Sequence, residues 1–336
     1  MKFNKEKIKS FIGKVIIFIF CIVFVNGYIK IFGAENSTIA IVLLTGLLMF
    51  LKNDLGFKAK QAAFCFPLLY LIMILSSKIS LINPYIGIVI NIISIGFILI
   101  ISSYKIGEDN QIPFLLGYIF CQGYDVSGEL FEKRIISVII ISSLIGIIYY
   151  MKNRKNTYEK GILDVFKELN IHSEKTQWYI KLALTLTLTM FLGSIFGYPR
   201  TIWISFAVLS LVRHEKEEYR HRLKRRLIAT MIGTALFFIV FTYLVPQEYQ
   251  VIVSLLAGFI MMFLDSYFVK TIANSFTALI SATVLFSTTG AAEIRIISNI
   301  IGIIIVLICQ ALFEVVFDKI KLNRENKKLA NNGIVN

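Results

Sequence analysis

Charge is scarce in this chain of 336 residues: Asp, Glu, Lys and Arg make up 17% of it against 57% hydrophobic residues, and the mean hydropathy is +0.74. A soluble domain carries roughly a quarter charged residues, so a single water-soluble core is excluded and a polytopic membrane protein is implied. Cysteine is also sparse. Cys21, Cys65, Cys121 and Cys309 lie inside apolar runs without paired spacing, which argues for packing rather than for a disulfide framework or a metal site. No glycine-rich stretch ends in Gly-Lys-Ser or Gly-Lys-Thr, so ATP hydrolysis by this chain is not expected. No His-Glu-x-x-His run or metal-spaced cluster occurs either, and the serines lack a base at suitable spacing. Enzyme activity and a cofactor are therefore not expected.

Long apolar runs are abundant. Segments near 11–32, 60–77, 84–101 and 134–151 in the first half, and 178–196, 227–245, 249–264, 270–289 and 296–317 in the second, read as membrane spans. With three shorter runs at 37–51, 112–122 and 199–212, the total is twelve, six in each half. The first run follows a lysine-rich start but is long and lacks a small-residue cleavage pattern, so it reads as an uncleaved span. The expected fold is an all-α bundle of about 12 spans.

The formal charge of +14 invites a nucleic-acid reading, but the placement of the basic residues explains it better. With both termini inside, 29 of the 35 Lys and Arg fall on the cytoplasmic side, as the positive-inside rule requires. No nucleic-acid partner is expected. The bilayer is the expected partner and the inner or plasma membrane the expected location, while abundant Ile, Lys and Asn hint at an AT-rich bacterial genome.

The tetrapeptide Arg134-Ile135-Ile136-Ser137 recurs as Arg295-Ile296-Ile297-Ser298, an offset of 161. The same shift lays the apolar runs of one half on those of the other. Tandem duplication follows as the expectation, and six crossings per copy make the repeats parallel, an architecture of transporters. The expected organisation is a first membrane repeat at 1–151, a cytoplasmic linker at 152–177, a second repeat at 178–318 and a polar tail at 319–336. The linker fits an amphipathic helix at the membrane surface or a plain connector. The tail should fray.

Short apolar segments at matched positions of two repeats point to a binding region, because they expose helix ends at membrane depth. Ser37, Thr38 and Thr45 in one and Thr201, Ser205 and Ser210 in its partner could cap helix ends or bond back to helix carbonyls. The run Gly197-Tyr198-Pro199-Arg200-Thr201-Ile202-Trp203 sets a guanidinium and an indole together, which suits an aromatic carboxylate. It equally suits a snorkelling Arg beside an aromatic-belt residue. The basic stretch from Arg213 to Arg226, with His214 and His221, reads as a solvated inner loop or as an anion-collecting vestibule.

Residues from Trp178 to about Leu244 resemble the fusaric acid resistance protein-like (FUSC) family of membrane transporters, related to aromatic acid exporters. Pro199 and Trp203 carry the resemblance, followed by Arg226-Leu227-Ile228-Ala229-Thr230-Met231-Ile232-Gly233, with Ala229 where the family pattern has Gly. The resemblance implies efflux of small organic acid anions, aromatic ones included, by secondary active transport, with Arg200, Trp203, Arg226 and Thr230 toward the substrate. Pro199 and Gly233 would then shape the helices. Self-association or an accessory subunit is left open, and a passive anion channel or a non-transporting scaffold are the rival readings.

Overall fold

The computed structural model describes residues 5–214, 216–282 and 288–332. Among them the secondary structure is helical throughout, with no strand. The α-helices are α1 (Lys5–Phe32), α2 (Ser37–Phe50), α3 (Ala59–Ser80), α4 (Pro84–Ser102), α5 (Ile112–Gly123), α6 (Glu129–Asn153) and α7 (Ile162–Lys167). They continue with α8 (Glu174–Ile195), α9 (Thr201–Leu211), α10 (Lys216–Ile239), α11 (Gln250–Met261), α12 (Tyr267–Ala282) and α13 (Thr288–Asn332). Each of the twelve apolar runs forms the body of a helix, because a backbone in hydrocarbon must satisfy its own hydrogen bonds. The end of the run at 270–289 falls partly on 283–287, outside the described residues, as do Glu215 of the basic stretch, the side chain of His221 and the last four residues of the tail.

Among the described residues, seven helices are long and apolar enough to cross a bilayer: α1, α3, α4, α6, α8, α10 with the π-helical turn that follows it, and α13. Length separates the others from these. At 1.5 Å per residue, the 12 residues of α11 reach roughly 18 Å, short of a hydrocarbon core about 30 Å thick. α2, α5, α9 and α12, at 14, 12, 11 and 16 residues, are also short. The sequence supplies the stops. Asn83 caps α4 with its Oδ1 accepting from Tyr85 N–H at 2.8 Å, and Pro84 opens the helix where its missing N–H costs nothing.

Two compact units are present. The larger holds residues 32–214 and 302–336, with α2 to α9 and the end of α13. Its centre is an aromatic cluster in which Phe50 lies 4.7 Å from Phe66, Phe66 lies 5.1 Å from Tyr149, and Tyr70 lies 4.7 Å from Phe114. α8 packs on α4 and α9 on α5 through Phe120 and Phe206. The smaller unit holds residues 1–31 and 215–301. There α1 meets α11 where Phe18 lies 5.0 Å from Phe259, and α10 packs on α12.

The linker is helical only over six residues, α7, rather than along an extended amphipathic stretch. Backbone bonds hold it. Lys58 N–H donates to Lys160 C=O at 2.9 Å and Ile162 N–H to Gln61 Oε1 at 2.8 Å, while Val165 is buried and Phe166 meets Phe97. The tail differs too, since α13 continues through Asn332 on residues that favour helix.

Candidate functional site

The turn entering α9 builds a cavity. Gly197 adopts φ 59°, a left-handed conformation that glycine tolerates without a Cβ clash, and Tyr198 N–H then returns to Gly193 C=O at 2.9 Å. Pro199 leads into α9 with Arg200 at its N-cap. Arg200 is 7% exposed and donates from Nη1 to the Tyr124 hydroxyl at 3.2 Å. Its guanidinium carbon lies 5.7 Å from the Tyr124 ring centre and 5.9 Å from that of Trp203.

The cavity encloses about 270 Å³. Arg200, Gln122, Ser194, Tyr198, Thr201 and Ser205 give its polar lining, and Leu81, Ile119, Met190 and Ile202 are among its apolar walls. One cation and no acid stands in this wall. Pro199 also lines it, whereas Trp203 is buried behind Arg200 and does not. An arginine in a partly apolar recess is suited to a carboxylate, which it can bind through two N–H groups at once.

A second arginine stands behind the first. Arg134, 1% exposed, donates from Nε to Asn36 Oδ1 at 2.7 Å and from Nη2 to Tyr124 C=O at 3.0 Å. Tyr124 therefore bridges two guanidinium groups, with its hydroxyl on Arg200 and its carbonyl on Arg134. The neighbouring acid, Asp125, is taken by Lys78 at 2.7 Å.

The other wall reaches a polar network that sequence reasoning missed. Gln122 Nε2 donates to Ser80 Oγ at 2.6 Å and to Asn91 Oδ1 at 3.1 Å, and Tyr118 Oη donates to the same Asn91 oxygen at 2.7 Å. Asn91 is the signal that could have revealed it. A lone amide in the middle of an otherwise apolar span calls for a buried partner.

Arg226, Thr230 and Gly233 form a separate group in the smaller unit. Arg226 Nε donates to Asn299 Oδ1 at 3.1 Å, Thr230 Oγ1 to the same oxygen at 3.4 Å, and Asn299 Nδ2 to Arg295 C=O at 2.9 Å. All four residues are buried. At Gly233 a Cβ would collide with the Ile272 carbonyl, so glycine is what lets α10 approach α12. The six residues singled out from sequence thus fall into two sets, Pro199, Arg200 and Trp203 in one unit and Arg226, Thr230 and Gly233 in the other. The hydroxyls of Thr45, Thr201 and Ser210 bond back to carbonyls three or four residues earlier, and Ser205 alone of these lines the cavity among the described residues without such a bond.

No curated protein and no solved structure matches the chain. Residues 188–309, from the second half of α8 into α13, match the family model described as fusaric acid resistance protein-like.

Proposed function

We propose that the protein exports small organic acid anions, aromatic acids among them, across the inner or plasma membrane by secondary active transport. The observation that carries this reading is the cavity beside α9, whose lining combines the buried Arg200 with hydroxyl and amide groups and holds no acid. A monovalent carboxylate would meet Arg200, with Tyr198 and the apolar wall beside its organic body. The fusaric acid resistance protein-like match over 188–309 includes the whole of α9 and supports a transporter.

Twelve spans in two parallel six-span repeats, with both ends of the chain in the cytosol, form part of the proposal. In support, these helix starts follow the offset of 161 to within about three residues: α2 at 37–50 answers α9 at 201–211, and α6 from 129 answers α13 from 288. The short helices would line the path, with the longer ones as its scaffold. Arg226 and Thr230 would contact an anion within the smaller unit.

Counterflow with the purified protein in liposomes, run across a panel of labelled organic acids, tests the reading. Arg200→Ala should lower uptake of any accepted acid roughly tenfold or more, the worth of a charged hydrogen bond, at unchanged membrane abundance. Unchanged uptake would refute the role of Arg200, and inert liposomes across the whole panel would refute transport. Loss of uptake on collapsing the proton gradient separates a carrier from a channel.

A further inference from the structure

A second recess lies on the larger unit between α3 and α6. It encloses about 450 Å³ and is lined by Lys60, Ala63, Phe64, Pro67, Ser143, Gly146, Ile147 and Tyr150. Small residues make its floor. A Cβ on Gly146 would stand 2.5 Å from the Ala63 carbonyl oxygen, so the two backbones approach directly. Pro67 lacks the N–H that would otherwise bond that same carbonyl four residues back, which keeps an acceptor in the floor. Phe64, Ile147 and Tyr150 are exposed and rise as walls.

One end of this apolar recess is cationic. Lys60 is exposed in the first turn of α3, where a candidate span begins, and has no ion pair or hydrogen bond among the described residues. The C-terminal end of α6 comes to the same place: Leu55 N–H donates to the Tyr149 hydroxyl at 3.0 Å and Lys152 Nζ to Asn53 C=O at 3.5 Å. Lys60 is the lysine that lines the recess, and Lys58 before α3 and Lys152 near the end of α6 are exposed. The far ends of the same two helices are different, because Lys78 of α3 is bound to Asp125 and Lys133 of α6 to Glu129. A comparable apolar recess of about 380 Å³ between α4, α8 and α13, lined by Leu184, Phe191 and Phe313 among others, has no charged residue in its lining.

We infer that the α3/α6 recess is a binding site for one anionic phospholipid, with an acyl chain along the apolar floor and the headgroup phosphate on Lys60. The occupant follows from the shape and charge together. An unbranched chain fits a groove open along its length, and a lysine at the boundary of the span stands at headgroup depth, where a basic residue attracts anionic lipid. The inference does not rest on anion export and stands or falls separately from it.

Native mass spectrometry of the purified full chain, stripped of lipid in mild detergent and offered phosphatidylglycerol or phosphatidylethanolamine of identical chains, provides the test. The protein should retain one phosphatidylglycerol in preference to phosphatidylethanolamine. Lys60→Gln should reduce that preference roughly fivefold, the worth of one lysine near an anionic surface. Ser143→Phe, which fills the floor, should lower retention of both lipids, and Ile147→Trp, which narrows the groove from its exposed wall, serves if Ser143→Phe does not fold. Lys133→Gln, at the far end, should leave retention as it is. Equal retention of the two lipids by the unaltered chain, or an unchanged preference in Lys60→Gln, would overturn the site.

Discussion

Each compact unit ties a buried arginine to an asparagine, and the two pairs are alike in chemistry but not in reach. Arg134 Nε meets Asn36 Oδ1 at 2.7 Å in the larger unit, and Arg226 Nε meets Asn299 Oδ1 at 3.1 Å in the smaller. An amide satisfies the donor without cancelling the charge, so positive potential is retained inside both units. Asn36 also donates to Phe32 C=O at 2.9 Å and Leu130 C=O at 3.0 Å, joining the end of α1 and the start of α6 to the start of α2. Asn299 donates only to Arg295 within its own helix. The first pair is a clasp across three segments, whereas the second joins two helices, α10 and α13.

The offset of 161 sharpens the contrast. Arg134 has Arg295 as its counterpart, and both are buried, but Arg200 answers to Ile39 and Arg226 to Cys65. Arg134 holds segments together, whereas Arg200 lies at the cavity and Arg226 within the stretch that matches the family model. The helices are also traded between halves. α8 of the second half packs on α4 of the first in the larger unit, while α1 of the first half packs on α11 of the second in the smaller.

That trade gives the largest expected effect. Residues 1–160 and 161–336 expressed separately should each fail to give a monodisperse particle in size-exclusion chromatography, and together should recover one; a well-folded particle from either fragment alone would break the comparison. Next in size, Arg134→Ala should lower stability by about 3 kcal/mol, since two charged hydrogen bonds vanish and Asn36 Oδ1 is left buried without its donor. A thermal melt matching the unaltered protein would show that the clasp is not structural. Asn299→Ala should cost less, about 1.5 kcal/mol, because it removes two acceptor bonds and leaves α10 packed on α12. An equal loss at Asn36→Ala and Asn299→Ala would erase the distinction between clasp and bond.

The smallest effect is expected at the loop before α3, which has no ionic equivalent of these buried pairs. Burial pushes the Asp54 carboxyl up, but hydrogen bonds from Lys105 and Tyr158, with the Lys105 charge, outweigh it and hold the group below its ordinary value of 3.8. A carboxylate depressed on folding stabilises above its unfolded pKa and loses that contribution as the pH falls through the folded value. Stability should therefore fall between about pH 4 and more acidic conditions, by less than about 1 kcal/mol, read as a lower melting temperature, and Asp54→Asn should flatten that segment of the curve. A segment unaltered by Asp54→Asn would assign the drop to another group.

Much of this was legible in the chain. Twelve apolar runs are twelve helices because helix formation in hydrocarbon follows from local composition, and Pro199, Arg200 and Gly197 are adjacent in sequence, so their turn could be read directly. The length of each helix was harder, since α11 ends at Met261 although Met262, Phe263 and Leu264 are apolar, through turns that hydropathy does not register. Asn36 and Arg134 stand 98 residues apart, and Arg226 and Asn299 stand 73 apart, distances over which no periodicity speaks. Asn91 could have been noticed as a polar residue within an apolar span, but its partners Tyr118 and Gln122 could not.

By itself the sequence determined that the protein is helical and built for a membrane, and that one stretch of it resembles an exporter, because these follow from composition, run length and short motifs. Only the tertiary structure decided that Trp203 backs Arg200 instead of lining the cavity, that Tyr124 links two arginines, and that each unit borrows a helix from the other half. Those outcomes depend on which side chains meet after the chain is packed, and the energies that choose among packings come from contacts between residues far apart in the sequence.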